Sequence, residues 1–95
     1  MKKVLILSAT NNSNLVLAKE LSELVNSKNV NFEVESFENY AFPIFNASTY
    51  KSDKEKNIKN IKLLTKKMVQ SDGLIICAPE YNGSIPPIVT NAIAW

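Results

Sequence analysis

One stretch near the end of the chain constrains the fold most: a short apolar run, LIICA at residues 74–78, leads into a polar turn and two consecutive prolines. A short, continuous apolar run is typical of a parallel strand that is buried on both faces. Asn82-Gly83 favours a turn with positive φ, and Pro86-Pro87 favours the first turn of a helix. This order predicts an open α/β sheet, which binds ligands at the carboxyl ends of its strands.

Two further strands are predicted earlier in the chain. Val4 to Leu7 is a continuous apolar run, as expected for a second buried strand. From Val30 to Glu35 apolar and polar residues alternate, which indicates a half-exposed strand at the sheet margin. Two buried strands and one edge strand fit the spatial order 2-1-3. The predicted fold class is therefore α/β, a flavodoxin-like three-layer parallel sheet truncated to its first three strands.

Helices are predicted between these strands. Asn12 or Ser13 can cap the first, whose apolar residues recur at helical spacing: Leu15, Ala18, Leu21 and Val25. The second is predicted to begin at the capping box Ser52-Asp53-Lys54-Glu55 and to end just before Gly73, where a left-handed residue can terminate it. Its inward stripe is predicted to be Ile58, Ile61, Leu64, Thr65 and Met68.

Aromatic residues are concentrated in the irregular segment from Phe37 to Tyr50, which contains Phe42-Pro43-Ile44-Phe45. They either flank a ligand or cover the exposed end of the sheet. The lysines that surround the second helix, at positions 51–67, are interpreted as a solvated face rather than a polyanion site, because Asp53 and Glu55 lie among them.

Composition excludes several classes of function. The 95 residues suffice for one domain at most, and 45% hydrophobic with 21% charged residues is ordinary for a soluble globular protein. With one cysteine and no histidine, one chain supplies neither a zinc site nor a histidine-based triad. A net charge of +2 is too mild to predict nucleic-acid binding. We interpret Cys77 as a small core residue.

Two further features of the sequence predict the cellular location of the protein. The apolar run at the amino terminus is only four residues long, so neither a signal peptide nor a membrane span is predicted. A single cysteine cannot form an intrachain disulfide, which fits a reducing compartment. We therefore predict a cytoplasmic protein with no membrane partner.

The turn after the first strand is the first candidate binding site. It consists of seven small or polar residues that lead into a helix, where hydroxyls and unpaired backbone N–H groups converge and the helix dipole favours negative charge. We predict an anion pocket with phosphate as its occupant, formed by Ser8, Thr10, Asn11, Asn12, Ser13 and Asn14. The spacing S-x-T-x-x-S resembles the T-x-T-x-x-T phosphate loop of flavodoxins.

The second candidate site is the turn after the third strand. Its sequence P-E-Y-N-G, residues 79–83, closely resembles the flavin-ring loop of the NADPH-dependent FMN reductase family, a flavodoxin-like group that includes quinone, azo-dye and chromate reductases. The resemblance implies that the isoalloxazine ring contacts Pro79, Glu80, Tyr81, Asn82 and Gly83. The alternative is a plain strand-to-helix turn.

Residues 85–95 are similar to the family pattern I-P-G-x-L-K-N-A-I-D-W, with Pro87, Thr90 and Ala94 replacing a glycine, a lysine and an aspartate. The first turn departs further from the family. That loop more often reads G-S-x-R-x-x-S-x-N, whereas the turn here is about two residues shorter and has neither the glycine nor the arginine.

The resemblance implies an FMN-dependent NAD(P)H oxidoreductase, in which FMN carries hydride from NADPH to a small-molecule electron acceptor. Because the flavin itself accepts the hydride, we assign no catalytic side chain and no metal ligand. The resemblance covers residues 1–95 as the amino-terminal portion of one flavodoxin-like FMN-binding domain. The alternative is a non-catalytic, truncated half-domain that serves as a binding or assembly module with weak or no flavin affinity.

An apolar third strand without a fourth strand beside it also predicts association, because unpaired edges and large apolar patches favour it. We expect a homo-oligomer, most simply a two-fold dimer; the alternative is that a carboxyl-terminal half of the domain supplies the same cover. Its interface is predicted to contain either the third strand or a surface formed by Ile88, Val89, Ile93 and Trp95.

Overall fold

The centre of the fold is a parallel sheet of three strands in the order β2-β1-β3. The computed structural model describes the backbone of residues 2–24 and 30–95 and, within these ranges, all side chains except those of residues 24, 49 and 52–58. The strands are β1 (Lys2–Ser8), β2 (Val30–Ser36) and β3 (Gly73–Cys77). The predicted fold class and strand order are confirmed.

Helices cover both faces of the sheet. They are α1 (Ser13–Leu24), α2 (Ala47–Val69) and α3 (Pro87–Ala94), and a 3₁₀ turn at Phe37–Asn39 follows β2. Alternate side chains of β1 point to opposite faces, so Ile6 packs in a cluster with Ala18 of α1. Leu5 and Leu7 pack on the other face, in a cluster with Leu64 of α2 and Val89 of α3. Val25 of the predicted α1 stripe lies outside the described residues.

The predicted start of α2 at Ser52 is wrong, because the helix begins five residues earlier, at Ala47. The segment ahead of it is held by α3: the Phe45 N–H donates to Asn91 Oδ1 at 2.6 Å. The rings of Phe45 and Tyr50 also lie 5.3 and 6.2 Å from that of Trp95. These contacts join residues more than 40 positions apart, so a local capping motif carries no record of them.

The predicted role of Gly73 is also wrong. The helix ends at Val69, and Gly73 is instead the first residue of β3. Among the described glycines only Gly83 has a positive φ. Beyond the end of α2, the Ser71 hydroxyl donates to the carbonyl of Lys67 at 2.6 Å, so a serine hydroxyl satisfies one of the last carbonyls of the helix.

β3 is apolar but only partly covered. Leu74, Ile75 and Ile76 are 44%, 37% and 39% exposed, although their composition predicts an interior strand. Within the described part of the chain, β3 pairs with β1 along one edge and its other edge has no strand beside it. The apolar strand β3 is therefore covered only on the side that pairs with β1.

Candidate functional site

The two predicted turns lie next to each other at the carboxyl edge of the sheet. Ser8, the last residue of β1, is in register with Cys77, the last residue of β3. One residue further on, the Ala9 N–H donates to the Cys77 carbonyl at 2.9 Å. The strand order reverses between β1 and β3, which is where sheets of this kind bind ligands. The fold thus brings together two segments about 70 residues apart in sequence.

The first turn is shaped by its own hydroxyl groups. Ser8 is fully buried, and its hydroxyl donates to the Thr10 carbonyl at 2.6 Å. The half-buried Thr10 accepts a longer bond at its Oγ1 from the Asn12 N–H, at 3.4 Å. These bonds tighten the turn just before α1.

Helix α1 begins at Ser13, so Asn12 occupies the N-cap position. The Asn12 carbonyl accepts the first helical bond, from the Leu15 N–H at 3.0 Å. The N–H groups of Ser13 and Asn14 precede that bond, and helix geometry gives them no acceptor within α1. Together with the hydroxyl of Thr10, they are the donors that this turn can offer to an anion.

Asn11 is directed toward the turn that follows β2. Its backbone N–H donates to Glu38 Oε2 at 3.0 Å, and its side-chain Nδ2 donates to Asn39 Oδ1 at 3.1 Å. Sequence reasoning missed Glu38 and Asn39. Their position was nonetheless a usable signal, because the carboxyl ends of neighbouring parallel strands meet at the same edge of a sheet.

The second turn closes on itself. Tyr81 and Ser84 exchange backbone hydrogen bonds of 3.0 Å in both directions. Between them, Asn82 and Gly83 have φ angles of 53° and 75°, which confirms the predicted positive-φ turn. The exposed Glu80 carboxylate accepts the Gly83 N–H at 2.6 Å.

These hydrogen bonds limit the backbone N–H groups that the second turn can offer to a ligand. The N–H groups of Tyr81, Gly83 and Ser84 are used within the turn, and Pro79 has none. Glu80 and Asn82 supply the remaining N–H groups of the turn. Helix α3 then begins at Pro87 with Pro86 at the N-cap, as the two prolines predicted.

The aromatic segment packs against α3. The Phe42 ring stacks on those of Tyr40 and Trp95, with centroids 5.9 and 6.5 Å apart. The Trp95 indole N–H donates to the Pro43 carbonyl at 2.8 Å. Of the two predicted roles, these contacts favour that of a cover for the end of the sheet.

Asn91 of α3 is hydrogen-bonded to the backbone of this segment. Its Nδ2 donates to the Pro43 carbonyl at 2.9 Å, and its Oδ1 accepts the Phe45 N–H.

Replacing Asn91 by alanine is expected to lower the free energy of unfolding by about 1–3 kcal/mol, because backbone groups lose partners. Urea denaturation followed by circular dichroism measures this loss. Thr90→Ala, at an exposed neighbouring position, is the control and should change the free energy of unfolding by less than about 0.5 kcal/mol. Equal urea midpoints for the two variants would contradict a stabilising role of the Asn91 hydrogen bonds.

The other candidate groups do not form a reactive site. Cys77 is buried in the core, as predicted, with 5% of its surface exposed, and this burial raises the pKa of its thiol. Lys67 pairs with Glu35 and Glu33 of β2, and the hydrogen bonds to Glu35 and then Glu33 raise the pKa of Lys67. Lys67 therefore stays protonated, and two carboxylates within the fold balance its charge.

Among the described residues there is neither a metal-binding cluster nor a membrane-spanning helix. No group of three or more potential ligands could hold a metal ion there. In the same ranges, no helix combines the length and the hydrophobicity needed to cross a membrane.

The chain is similar to known proteins over its length. Residues 2–95 match the model of the NADPH-dependent FMN reductase family. The chain belongs to that family. The family's description names FMN together with the nicotinamide electron donor NADPH. The sequence resemblance implied the same cofactor and donor.

Two individual proteins are similar to the chain. The NADH:(hydroxy)cinnamate reductase subunit CrdA of Vibrio ruber is 32% identical over 63 residues, which are 66% of this chain and 29% of that protein. The fold matches the flavoenzyme NAD(P)H:(acceptor) oxidoreductase FerB of Paracoccus denitrificans with a TM-score of 0.74 and 24% identity. That match covers 100% of this chain and 50% of FerB. The chain therefore spans half or less of the length of either protein.

Proposed function

We propose that this chain forms the FMN-binding portion of an NAD(P)H oxidoreductase. The observation that carries the proposal is the hydrogen bond from Ala9 to Cys77, which places a helix-capping polar turn beside a positive-φ turn. FMN has a phosphate at one end and a flat ring at the other. Adjacent sites for an anion and for a ring edge suit a ligand of that shape.

The residues of the first turn fit a phosphate. The N–H groups of Ser13 and Asn14 stand at the start of α1, where the helix dipole favours an anion. Thr10 adds a hydroxyl, and the exposed Asn12 adds a side-chain amide. Ser8 contributes by holding the turn, since its hydroxyl is bonded to the Thr10 carbonyl.

The residues of the second turn fit one edge of a flavin ring. Asn82 and Gly83 hold the turn in its left-handed conformation, and the N–H groups of Glu80 and Asn82 can donate to ring oxygen or nitrogen atoms. Pro79 and Tyr81 add flat apolar surface. The Glu80 carboxylate orients the turn through Gly83, so we give it no proton-transfer role.

Bound FMN would supply the redox chemistry, by accepting hydride from NADPH or NADH and passing electrons to an acceptor. The chain's own task is to bind and orient it. We propose a small-molecule acceptor, in keeping with the reductase names of both similar proteins. We also propose a cytoplasmic location, because the chain's single cysteine is buried and free.

A titration with FMN tests the proposal directly. The purified protein is expected to quench flavin fluorescence saturably and, once loaded, to lose its yellow colour on addition of NADPH under anaerobic conditions. The alternative, a non-catalytic half-domain that serves as an assembly module, predicts a colourless protein that stays colourless with added FMN. Binding without bleaching would support the cofactor site and contradict the reductase activity.

We further propose that the protein is a homo-oligomer, most simply a dimer. Leu74, Ile75 and Ile76 are exposed and apolar, on the two faces of a strand whose outer edge has no strand beside it within the described residues. Ile93 of α3 is exposed as well, whereas Val89 is buried in the core, so the predicted α3 surface is wrong at that position. Val89 lies on the face of α3 that packs in the core with Leu5 and Leu7.

Light scattering at micromolar concentration tests this assembly, with a mass of at least two chains expected. Ile75→Lys should shift the protein toward the monomer, because a charge at an apolar edge opposes strand pairing. Val69→Lys adds the same charge at an exposed apolar residue of α2 and should leave the mass unchanged. A well-folded monomer of the unmodified protein would contradict the proposal.

A further inference from the structure

The carboxylate of Glu38 is hydrogen-bonded to the turn that we assign to the flavin phosphate. Glu38 Oε2 lies 3.0 Å from the backbone nitrogen of Asn11. Glu38 belongs to the 3₁₀ turn after β2, 27 residues away in sequence, and is exposed. A negatively charged group from another strand end thus accepts one of the N–H groups of the anion-binding turn.

Nothing in this turn offsets that charge. Residues 8–14 contain no lysine or arginine, so the turn attracts an anion through backbone and side-chain dipoles alone. A carboxylate beside such a site acts on a bound phosphate in two ways. It repels the phosphate through its charge, and it keeps the Asn11 N–H from donating to another acceptor.

Asn11 is also anchored by a neighbouring contact that involves no charged group. Asn39 accepts the side-chain amide of Asn11 at 3.1 Å, so the turn has a neutral tether next to the charged one. A glutamine at position 38 retains an oxygen that can accept the Asn11 N–H. Anchoring therefore does not require that the group at position 38 be negative.

We propose that Glu38 lowers the affinity of this chain for FMN by placing a negative charge against the phosphate turn. Glu38 is then an affinity-determining residue whose effect depends on the phosphate of the ligand. The inference rests on the proposed function, since it requires that FMN phosphate binds at residues 8–14.

The test compares FMN with riboflavin, which has the same ring and no phosphate, by fluorescence titration of the unmodified protein and Glu38→Gln. The variant is expected to bind FMN about tenfold more tightly at low salt, with the gain shrinking as salt rises, because added ions screen exposed charges. The riboflavin Kd should stay the same. Glu23→Gln makes the same change in net charge on α1, at an exposed site, and should alter neither Kd.

The outcomes separate the inference from the proposed function. If the unmodified protein and Glu38→Gln bind FMN equally, the inference is overturned while the flavin site stands. If Glu38→Gln weakens both ligands, Glu38 serves the fold of the turn and the charge effect is overturned. If neither protein binds FMN, the proposed function and the inference fall together, whereas FMN binding by Glu38→Gln alone supports both.

Discussion

Replacing Gly83 by valine is expected to weaken the binding of both FMN and riboflavin about tenfold or more. Gly83 has a φ of 75°, in the left-handed region that costs other residues about 1–2 kcal/mol, and a β-branched side chain is poorly tolerated there. The strain would be relieved by opening the turn that Tyr81 and Ser84 close. Flavin fluorescence titration measures the two dissociation constants.

Gly73→Ala is the control for this substitution. Gly73 has no positive φ, and an added Cβ would lie 3.6 Å from Val4 Cγ2, an ordinary contact distance. This variant should bind both ligands as the unmodified protein does. Unchanged affinities in Gly83→Val would remove the second turn from the flavin site, and a loss of the circular dichroism spectrum in that variant would show unfolding instead.

Replacing Thr10 by valine is expected to weaken FMN binding about tenfold or more while leaving riboflavin binding unchanged. The substitution keeps the shape of the side chain but removes its hydroxyl, and a hydrogen bond to a charged group contributes about 1.5–3 kcal/mol. It also removes the acceptor of the Asn12 N–H, so the turn itself is loosened. The same titration compares the two ligands.

Thr90→Val is a matched control, because Thr90 is an exposed threonine of α3 whose hydroxyl donates to the Pro87 carbonyl. It should change neither dissociation constant. Equal losses for FMN and riboflavin in Thr10→Val would contradict a phosphate-specific role. An unchanged FMN affinity would remove the first turn from the site.

The predictions that succeeded rest on local chemistry. Pro86-Pro87 and Asn82-Gly83 restrict the backbone angles of their own residues, so the start of α3 and the turn before it follow from the sequence alone. The predicted start of α2 failed although it rested on a local motif as well. Ser52 can start a helix, but α2 begins at Ala47, directly after Asn46, whose carbonyl accepts the Tyr50 N–H. The neighbouring Phe45 N–H is bonded to Asn91 of α3.

The sequence by itself determined the class of the fold, the strand order and the residues of both turns, because hydrophobic periodicity and turn chemistry act over a few residues. Only the tertiary structure decided which groups these turns meet. The register of β1 with its two neighbours places Cys77 beside Ala9 and brings Glu38 to Asn11. Such contacts depend on the pairing of strand ends far apart along the chain, so they follow from strand order and register and not from a local pattern alone.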